Sequence, residues 1–282
     1  MQSLNTAVIE AYFPEIKNKE PHNMQLILDK IKIPNELPRI LRPRLLSELR
    51  LALGSYTSTI ITGRAGTGKS LLAADFALTC QRQVAWYKVD APDADRRLFF
   101  RYLAESVRSQ RPDFAVDSFM KSVNSTSPEE MPMLAESFIF ELQENWHEPL
   151  LIVIDDLHLV YDSDWAVPFF CRLLPLLPRE VHVLIIGRSM PPAPLWRMRS
   201  KQTLNIVDEA SLAFSRDEAK ELFTSYGLSV DQANVAHKQT RGRAFTLDTR
   251  AQLLAATEAL SQPRHRKLSE FCIKPSLREH AY

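Results

Sequence analysis

Gly63-Arg64-Ala65-Gly66-Thr67-Gly68-Lys69-Ser70 holds three of the chain's seven glycines and fits the pattern G-x-x-x-x-G-K-[ST] at every position. Glycine collects where a backbone must turn tightly enough to direct successive N–H groups at phosphate oxygens. In such a loop Lys69 reaches the β- and γ-phosphates, Ser70 offers its hydroxyl to Mg²⁺, and the following helix turns its positive end toward the anion. The stretch implies binding of a nucleoside triphosphate, with Gly63, Arg64, Ala65, Gly66, Thr67, Gly68, Lys69 and Ser70 as contacts.

The flanking sequence supplies the strand and the helix that such a loop needs. Thr57 to Thr62 is β-branched almost throughout, as a buried strand leading into the loop should be. Ser70 to Cys80 is apolar on nearly every side, which predicts a helix packed between a sheet and its neighbours. Upstream, Arg42, Arg44, Leu45, Leu46 and Leu49 predict an amphipathic helix ending near Gly54. Residues 1–35, broken by Pro14, Pro21 and Pro34, show no sustained period.

Downstream, Val84 to Asp90 predicts a strand and Asp95 to Val107 a helix with Phe99, Leu103 and Val107 on one face. Met131 to Trp146 predicts another helix, striped by Leu134, Phe138 and Leu142. Residues 110–130 are rich in Ser, Pro and Asp and are expected to form a surface connection. Leu150 to Ile154 and Val181 to Ile186 are uninterrupted apolar strands, ending in Asp155-Asp156 and Gly187-Arg188. Apolar strands separated by helices imply an α/β fold with a parallel sheet covered on both faces.

After Met190 the texture changes to Pro191, Pro192 and Pro194 and a basic cluster at Arg197, Arg199 and Lys201, which reads as a boundary region. Ser215 and Glu218 form a capping box for a helix that Gly227 is placed to end. Helical periodicity resumes from Ala233 to Leu260 with a break near Gly242. The expected organisation is an N-terminal extension over 1–35, a P-loop ATPase domain over 36–205, a helical domain over 206–262, and a tail or linker over 263–282.

Composition narrows the functional classes. Thirty-five Lys and Arg against 34 Asp and Glu leave a formal charge of +1, which implies neither direct DNA binding nor attachment to a membrane surface. Cys80, Cys171 and Cys272 lie far apart and in no C-x-x-C pattern, so neither a disulfide framework nor a zinc site is expected. The longest apolar run is too short to cross a bilayer and no leader pattern stands at the N-terminus, so a cytoplasmic location is expected.

The chemistry implied by the strand ends is hydrolytic. A strand's carboxyl end faces the ligand in an open α/β sheet, so Asp155 is expected to hold Mg²⁺ with Ser70, and Asp156 to orient or deprotonate a water for attack on the γ-phosphate. Arg188, ending the next strand, is expected to sense that phosphate, whereas Arg197 and Arg199 read equally well as a basic surface loop. The seven histidines show no metal spacing, and His158 reads as structural.

With these pieces in place the chain resembles the ATPase region of the MalT-like, LuxR-associated transcriptional regulators, a branch of the STAND class of signalling ATPases. The resemblance is carried by Arg42-x-Arg44-Leu45-Leu46, the loop 63–70, Trp86-Tyr87-x-Val89-Asp90 with Asp93, Ile152 through His158, Arg188-Ser189-Met190-Pro191, and Leu212-Ala213-Phe214-Ser215 with Glu218-Ala219. It implies a five-stranded ATPase core followed by a helical domain, with ATP or ADP and Mg²⁺ as cofactors. Leu71 and Arg44 join the expected nucleotide contacts. In that family a tetratricopeptide-like sensor and a DNA-binding helix-turn-helix follow, of which this sequence shows neither the repeat nor the basic recognition helix. Thr240-Arg241-Gly242-Arg243-Ala244-Phe245 departs from the family's usual Gly-Trp.

The expected function is an ATP-binding, slowly hydrolysing switch without its sensor and DNA-binding parts, which meets a protein partner or another copy of itself in its ATP form. Two other readings stand beside it: a docking module that holds nucleotide without turnover, and a P-loop kinase. The adjacent acids suit water attack better than transfer to an acceptor.

Overall fold

The computed structural model of the protein describes residues 26–144 and 148–261. The expectations for Pro14, Pro21, Trp146, Cys272 and the tail from residue 263 lie outside these.

The chain enters through a 3-10 turn (Leu28–Ile31) and then α1 (Pro43–Ser55), where Pro43 takes the first helical position because its missing N–H is unneeded there. Next come β1 (Ser58–Thr62), α2 (Lys69–Thr79), β2 (Gln83–Lys88) and α3 (Arg96–Arg108). Asp95 caps α3, accepting hydrogen bonds from the N–H groups of Arg97 and Leu98. After α4 (Val116–Ser125) and α5 (Met131–Gln143) the chain forms β3 (Leu150–Asp155), α6 (Ala166–Leu176) and β4 (Val181–Gly187). The short α7 (Ala193–Trp196) leads to β5 (Leu204–Val207), and α8 (Arg216–Ser225), α9 (Val230–Thr240) and α10 (Ala244–Ser261) complete the described chain.

The five strands form one parallel sheet in the order β2-β3-β4-β1-β5. Alternation along each strand divides the core in two. Ile60, Ile152, Ile154, Val183 and Ile185 face the side covered by α3 to α6, and Ile61, Leu151, Val153, Leu184 and Ile186 face α1 and α2. Burial on both faces is what makes these strands read as continuous apolar runs. A third cluster joins α8, α9 and α10 and also takes in Ile40 from the segment before α1.

Two expectations change. Residues 110–130 are not a surface connection: they contain α4, with Phe114, Val116, Phe119 and Val123 buried against the large core. The four apolar anchors are sparse among Ser, Asp and Lys, and a half-buried helix needs no more than one narrow stripe. The division expected between residues 205 and 206 falls inside β5, the strand at the sheet edge, where Leu204 and Val207 alone are fully buried. A four-residue edge strand gives too short an alternation to detect.

The Ser215–Glu218 capping box forms in full, and Gly227 follows α8 in the left-handed conformation. Asp93 is fully buried and accepts from Lys30 Nζ at 2.7 Å, tying the entering segment to the end of β2.

His182 interrupts the apolar face of β4. Its Nδ1 lies 3.1 Å from the Tyr56 carbonyl oxygen and its Nε2 3.0 Å from Thr59 Oγ1, so a neutral ring that donates from Nδ1 and accepts at Nε2 satisfies both. Burial, with a smaller contribution from Arg82, pushes its pKa down to about 4 against the pull of the Tyr56 carbonyl. The unfolded chain therefore takes up this proton first, near pH 6.5, and stability falls as pH drops from there toward 4. Asp155, pushed up to about 6, works in the opposite direction, so the effect is best isolated by substitution. His182→Gln is expected to lose less stability than the parent between pH 7 and pH 4, by up to about 3 kcal/mol in urea unfolding. Equal losses in the two proteins would refute the assignment.

Candidate functional site

The sheet register brings the sequence-predicted residues to one edge. Thr62 pairs with Gly187 and Lys88 with Asp155, so β1, β3 and β4 end side by side and deliver the loop, the acid pair and Arg188 together. The Gly63 N–H donates to the Gly187 carbonyl at 3.3 Å, fastening the start of the loop to the end of β4.

Within the loop the carbonyls are held and the amides are left open. Lys69 Nζ donates to the carbonyls of Gly63 at 2.6 Å and Arg64 at 2.9 Å, and Thr67 Oγ1 donates to Arg64 at 3.0 Å. Arg243 Nη2 donates to the Ala65 carbonyl at 3.0 Å, and the Phe245 N–H to that of Gly66 at 2.9 Å. The N–H groups of Ala65, Gly66, Thr67 and Gly68 have no acceptor among the described residues. Four successive free amides at the start of α2 are the donor set of an anion cradle. The Arg64 N–H is engaged instead by Glu209 Oε2 at 2.9 Å, and the Arg64 guanidinium pairs with Glu209 Oε1 at 2.6 Å.

Ser70 Oγ donates to Asp155 Oδ1 at 3.2 Å. Asp155 is 2% exposed. Burial, then the neighbouring Asp156, raises its pKa to about 6, while the Ser70 hydroxyl and the Asp156 N–H favour the charged form. A buried carboxylate made costly by its surroundings and joined to a hydroxyl oxygen fits a hard dication such as Mg²⁺, which would favour the ionised state.

Asp156 adopts the left-handed conformation at φ 59°. Its Oδ1 lies 3.6 Å from Arg188 Nε and 3.7 Å from His158 Nδ1. Arg188 is itself largely exposed at the open edge. Burial pushes the Lys69 ammonium below its ordinary pKa, opposed chiefly by Asp156. Acid, arginine and lysine thus share one field at the carboxyl ends of β3 and β4.

On the other side of the loop a cavity of about 340 Å³ runs between the sheet domain and the helices α8 and α10. Gly66 and Gly68 stand at its loop end, Leu71, Leu72 and Asp75 of α2 form one wall, and Tyr226, Phe245 and Asp248 form another. Ile40 and Arg42 contribute from the segment before α1. A cavity of this volume and apolar character beside a phosphate cradle suits a nucleoside.

Leu71 therefore lies where a ligand contact is expected. Arg44 does not line the cavity; its Nη2 donates to the carbonyls of Ser211 at 3.0 Å and Ala213 at 3.2 Å. Its neighbour Arg42 does line it, with Nη2 2.8 Å from the Leu212 carbonyl and the guanidinium 4.3 Å from the centre of the Phe214 ring. Sequence reading also missed Glu209, Arg243 and Phe245, which touch the loop from far along the chain and have no local motif. The unusual Arg243-Ala244-Phe245 sequence was the available signal.

Residues 40–186 match the family described as AAA ATPase domain. Over 201 residues the chain is 30% identical to the HTH-type transcriptional regulator MalT of Serratia proteamaculans (strain 568), a match covering 70% of this chain and 22% of that protein. The chain thus spans about a fifth of the length of that relative. In fold it is similar to a Signal Transduction ATPase with Numerous Domains (STAND) protein with a tetratricopeptide repeat sensor from Pyrococcus horikoshii, with TM-score 0.55 and 19% identity over 78% of this chain and 30% of that one. A Walker-type ATPase of Pyrococcus abyssi aligns with TM-score 0.45 and 13% identity over 80% and 75% of the two chains.

Gly66 offers a direct test of the contact between loop and helix. It has φ +77°, and a Cβ there would lie 2.8 Å from Phe245 Cβ, whereas a Cβ at Gly54 would meet nothing within 4 Å. Gly66→Ala is expected to lower stability by about 1–2 kcal/mol through the left-handed backbone alone and to displace Phe245 as well. Gly54→Ala, within α1, is expected to be neutral or stabilising by up to about 1 kcal/mol. Thermal unfolding of the two variants beside the parent checks both.

Proposed function

The chain belongs to the AAA ATPase domain family, and from that premise we propose that it binds ATP and ADP and hydrolyses ATP slowly as a conformational switch, the nucleotide-binding module of a MalT-like transcriptional regulator. One observation carries the reading: the four free loop amides and the pair Asp155–Asp156 converge at a single sheet edge.

In this reading the loop amides of Ala65 to Gly68 bind phosphate oxygens, and Lys69 leaves the Gly63 and Arg64 carbonyls to reach the β- and γ-phosphates. Ser70 and Asp155 hold Mg²⁺, which when bound neutralises charge on the phosphates. Asp156, whose carboxylate lies beside Arg188, orients a water and accepts its proton. Arg188 shifts from Asp156 toward the γ-phosphate, so that ATP and ADP leave it with different partners. A ligand changes a conformational equilibrium only through such differential contacts.

The switch needs a path from phosphate to the last helices, and the bonds from Arg243 and Phe245 to the loop carbonyls supply one. Any rearrangement of the loop must carry or break them. A change in α8 to α10 relative to the sheet would then alter the surface offered to a protein partner or a second copy of the chain.

ATP binding and phosphate release, measured on the parent, Lys69→Ala and Asp156→Ala, test the proposal. Lys69→Ala is expected to lose nucleotide binding, and Asp156→Ala to keep ADP binding while hydrolysis falls on the order of 10²-fold or more, the usual range for a general base. Unchanged turnover in both variants would sink the reading. Tight binding by the parent with no turnover would leave a docking module in its place.

A further inference from the structure

Asp75 is an unusual residue to find in the wall of a largely apolar cavity. It is 6% exposed, and no donor among the described residues hydrogen-bonds its carboxylate. A carboxylate buried this far without a partner is costly unless a ligand satisfies it. Burial accordingly pushes its pKa up, with Arg50 acting weakly against that.

Its position along α2 is informative. Asp75 follows Lys69 by six residues, which places it roughly 9 Å along the helix from the phosphate end at 1.5 Å per residue. The cavity continues to that level, so a nucleotide whose phosphates lie on the loop has its base beside Asp75. Asp248 of α10 lines the same cavity. Its two oxygens are already oriented, Oδ1 accepting from Tyr226 Oη at 2.8 Å and Oδ2 from Gln252 Nε2 at 2.8 Å, while the Arg39 guanidinium lies 4.0 Å from the centre of the Tyr226 ring. Both acids are acceptors when ionised, and the cavity wall they form favours a base edge that carries hydrogen-bond donors.

We propose that Asp75, supported by Asp248, selects adenine by accepting a hydrogen bond from its exocyclic 6-amino group. A 6-oxo purine presents an oxygen at that position and its nearest donor one atom away at N1, so a carboxylate aimed at the 6-position meets another acceptor and must give up that alignment to find a partner. Discrimination of this kind is strong because the penalty for the wrong base includes an unsatisfied buried polar group. The inference rests on the nucleotide reading above but concerns the base alone.

ADP and IDP differ only in the 6-position and the accompanying N1 proton, and titration calorimetry of each against the parent, Asp75→Asn and Asp248→Asn separates the two claims. The parent is expected to bind ADP at least about 10-fold more tightly than IDP. Asp75→Asn, which adds an amide donor able to meet a 6-oxo group, is expected to shrink that ratio about 10-fold or reverse it, and Asp248→Asn to shrink it less. A parent that binds neither nucleotide defeats the nucleotide reading itself. A parent that binds ADP and IDP equally, prefers GDP, or keeps its ADP preference in Asp75→Asn overturns the base-reading role and leaves nucleotide binding intact. If Asp75→Asn fails to fold, the parent's preference and the Asp248→Asn ratio still decide the matter: a parent preference for ADP that shrinks in Asp248→Asn supports the proposal, and no preference or an unchanged ratio overturns it.

Discussion

The phosphate loop must have its amides free and its carbonyls bound, and much of the rest of the molecule follows from that requirement. A peptide chain that turns four N–H groups to one side turns its carbonyls to the other, and here each of those carbonyls meets a donor. Lys69 and Thr67 provide for Gly63 and Arg64 from within the loop. Arg243 and Phe245 provide for Ala65 and Gly66 from far along the chain. The helical part is therefore a structural component of the loop, which it meets through the Arg243 side chain and the Phe245 backbone.

The same logic holds the two parts together elsewhere. Glu218 sits at the third position of α8, accepts the Ser215 N–H at 2.7 Å as half of a capping box, and lies 3.5 Å from Arg42 Nη2. Arg42 is buried, and burial lowers its pKa against the pull of Glu218. Removing Glu218 would strand the buried Arg42 charge, whereas Glu218 without Arg42 keeps Arg44 Nη2 at 3.7 Å, and such a buried pair fixes an arrangement more surely than it adds to stability. Gly242 closes the same corner: its carbonyl accepts from the Phe214 N–H at 2.8 Å, and a Cβ there would clash with the Phe214 carbonyl oxygen.

These constraints explain what was legible in the sequence. Lys69, Ser70, Asp155, Asp156 and Arg188 were readable because each stands at the end of a strong apolar strand or in a contiguous motif, and a parallel sheet brings strand ends together by construction. The five-stranded sheet came from the resemblance, and β5 itself is too short and too exposed on its outer face to announce a period. The cavity was illegible for a different reason. Its walls come from residues near 40, 70, 225 and 245, so no local pattern encodes it, and Asp75 looks in sequence like any acid within an apolar helix. Arg42 and Arg44 differ in chain geometry: Arg42 is the non-helical residue before α1, and Arg44 lies in its first turn, so two similar side chains meet different partners.

Helix geometry also limits how the site can change. The first turns of α2 and α10 meet at Gly66 and Gly68, where the Gly66 position has no room for a side chain and Ala244 Cβ stands 3.7 Å from the Cβ position of Gly68. Two helices packed end-on against one short loop cannot tilt independently, because a close-packed contact has discrete arrangements rather than a continuum. A shift of α10 away from the loop would give up the 2.9 Å bond from the Phe245 N–H to the Gly66 carbonyl. Gly66 is exposed, so water can take up its carbonyl, and it is the close packing at Gly66 and Gly68 more than the hydrogen bond that ties the loop to α10.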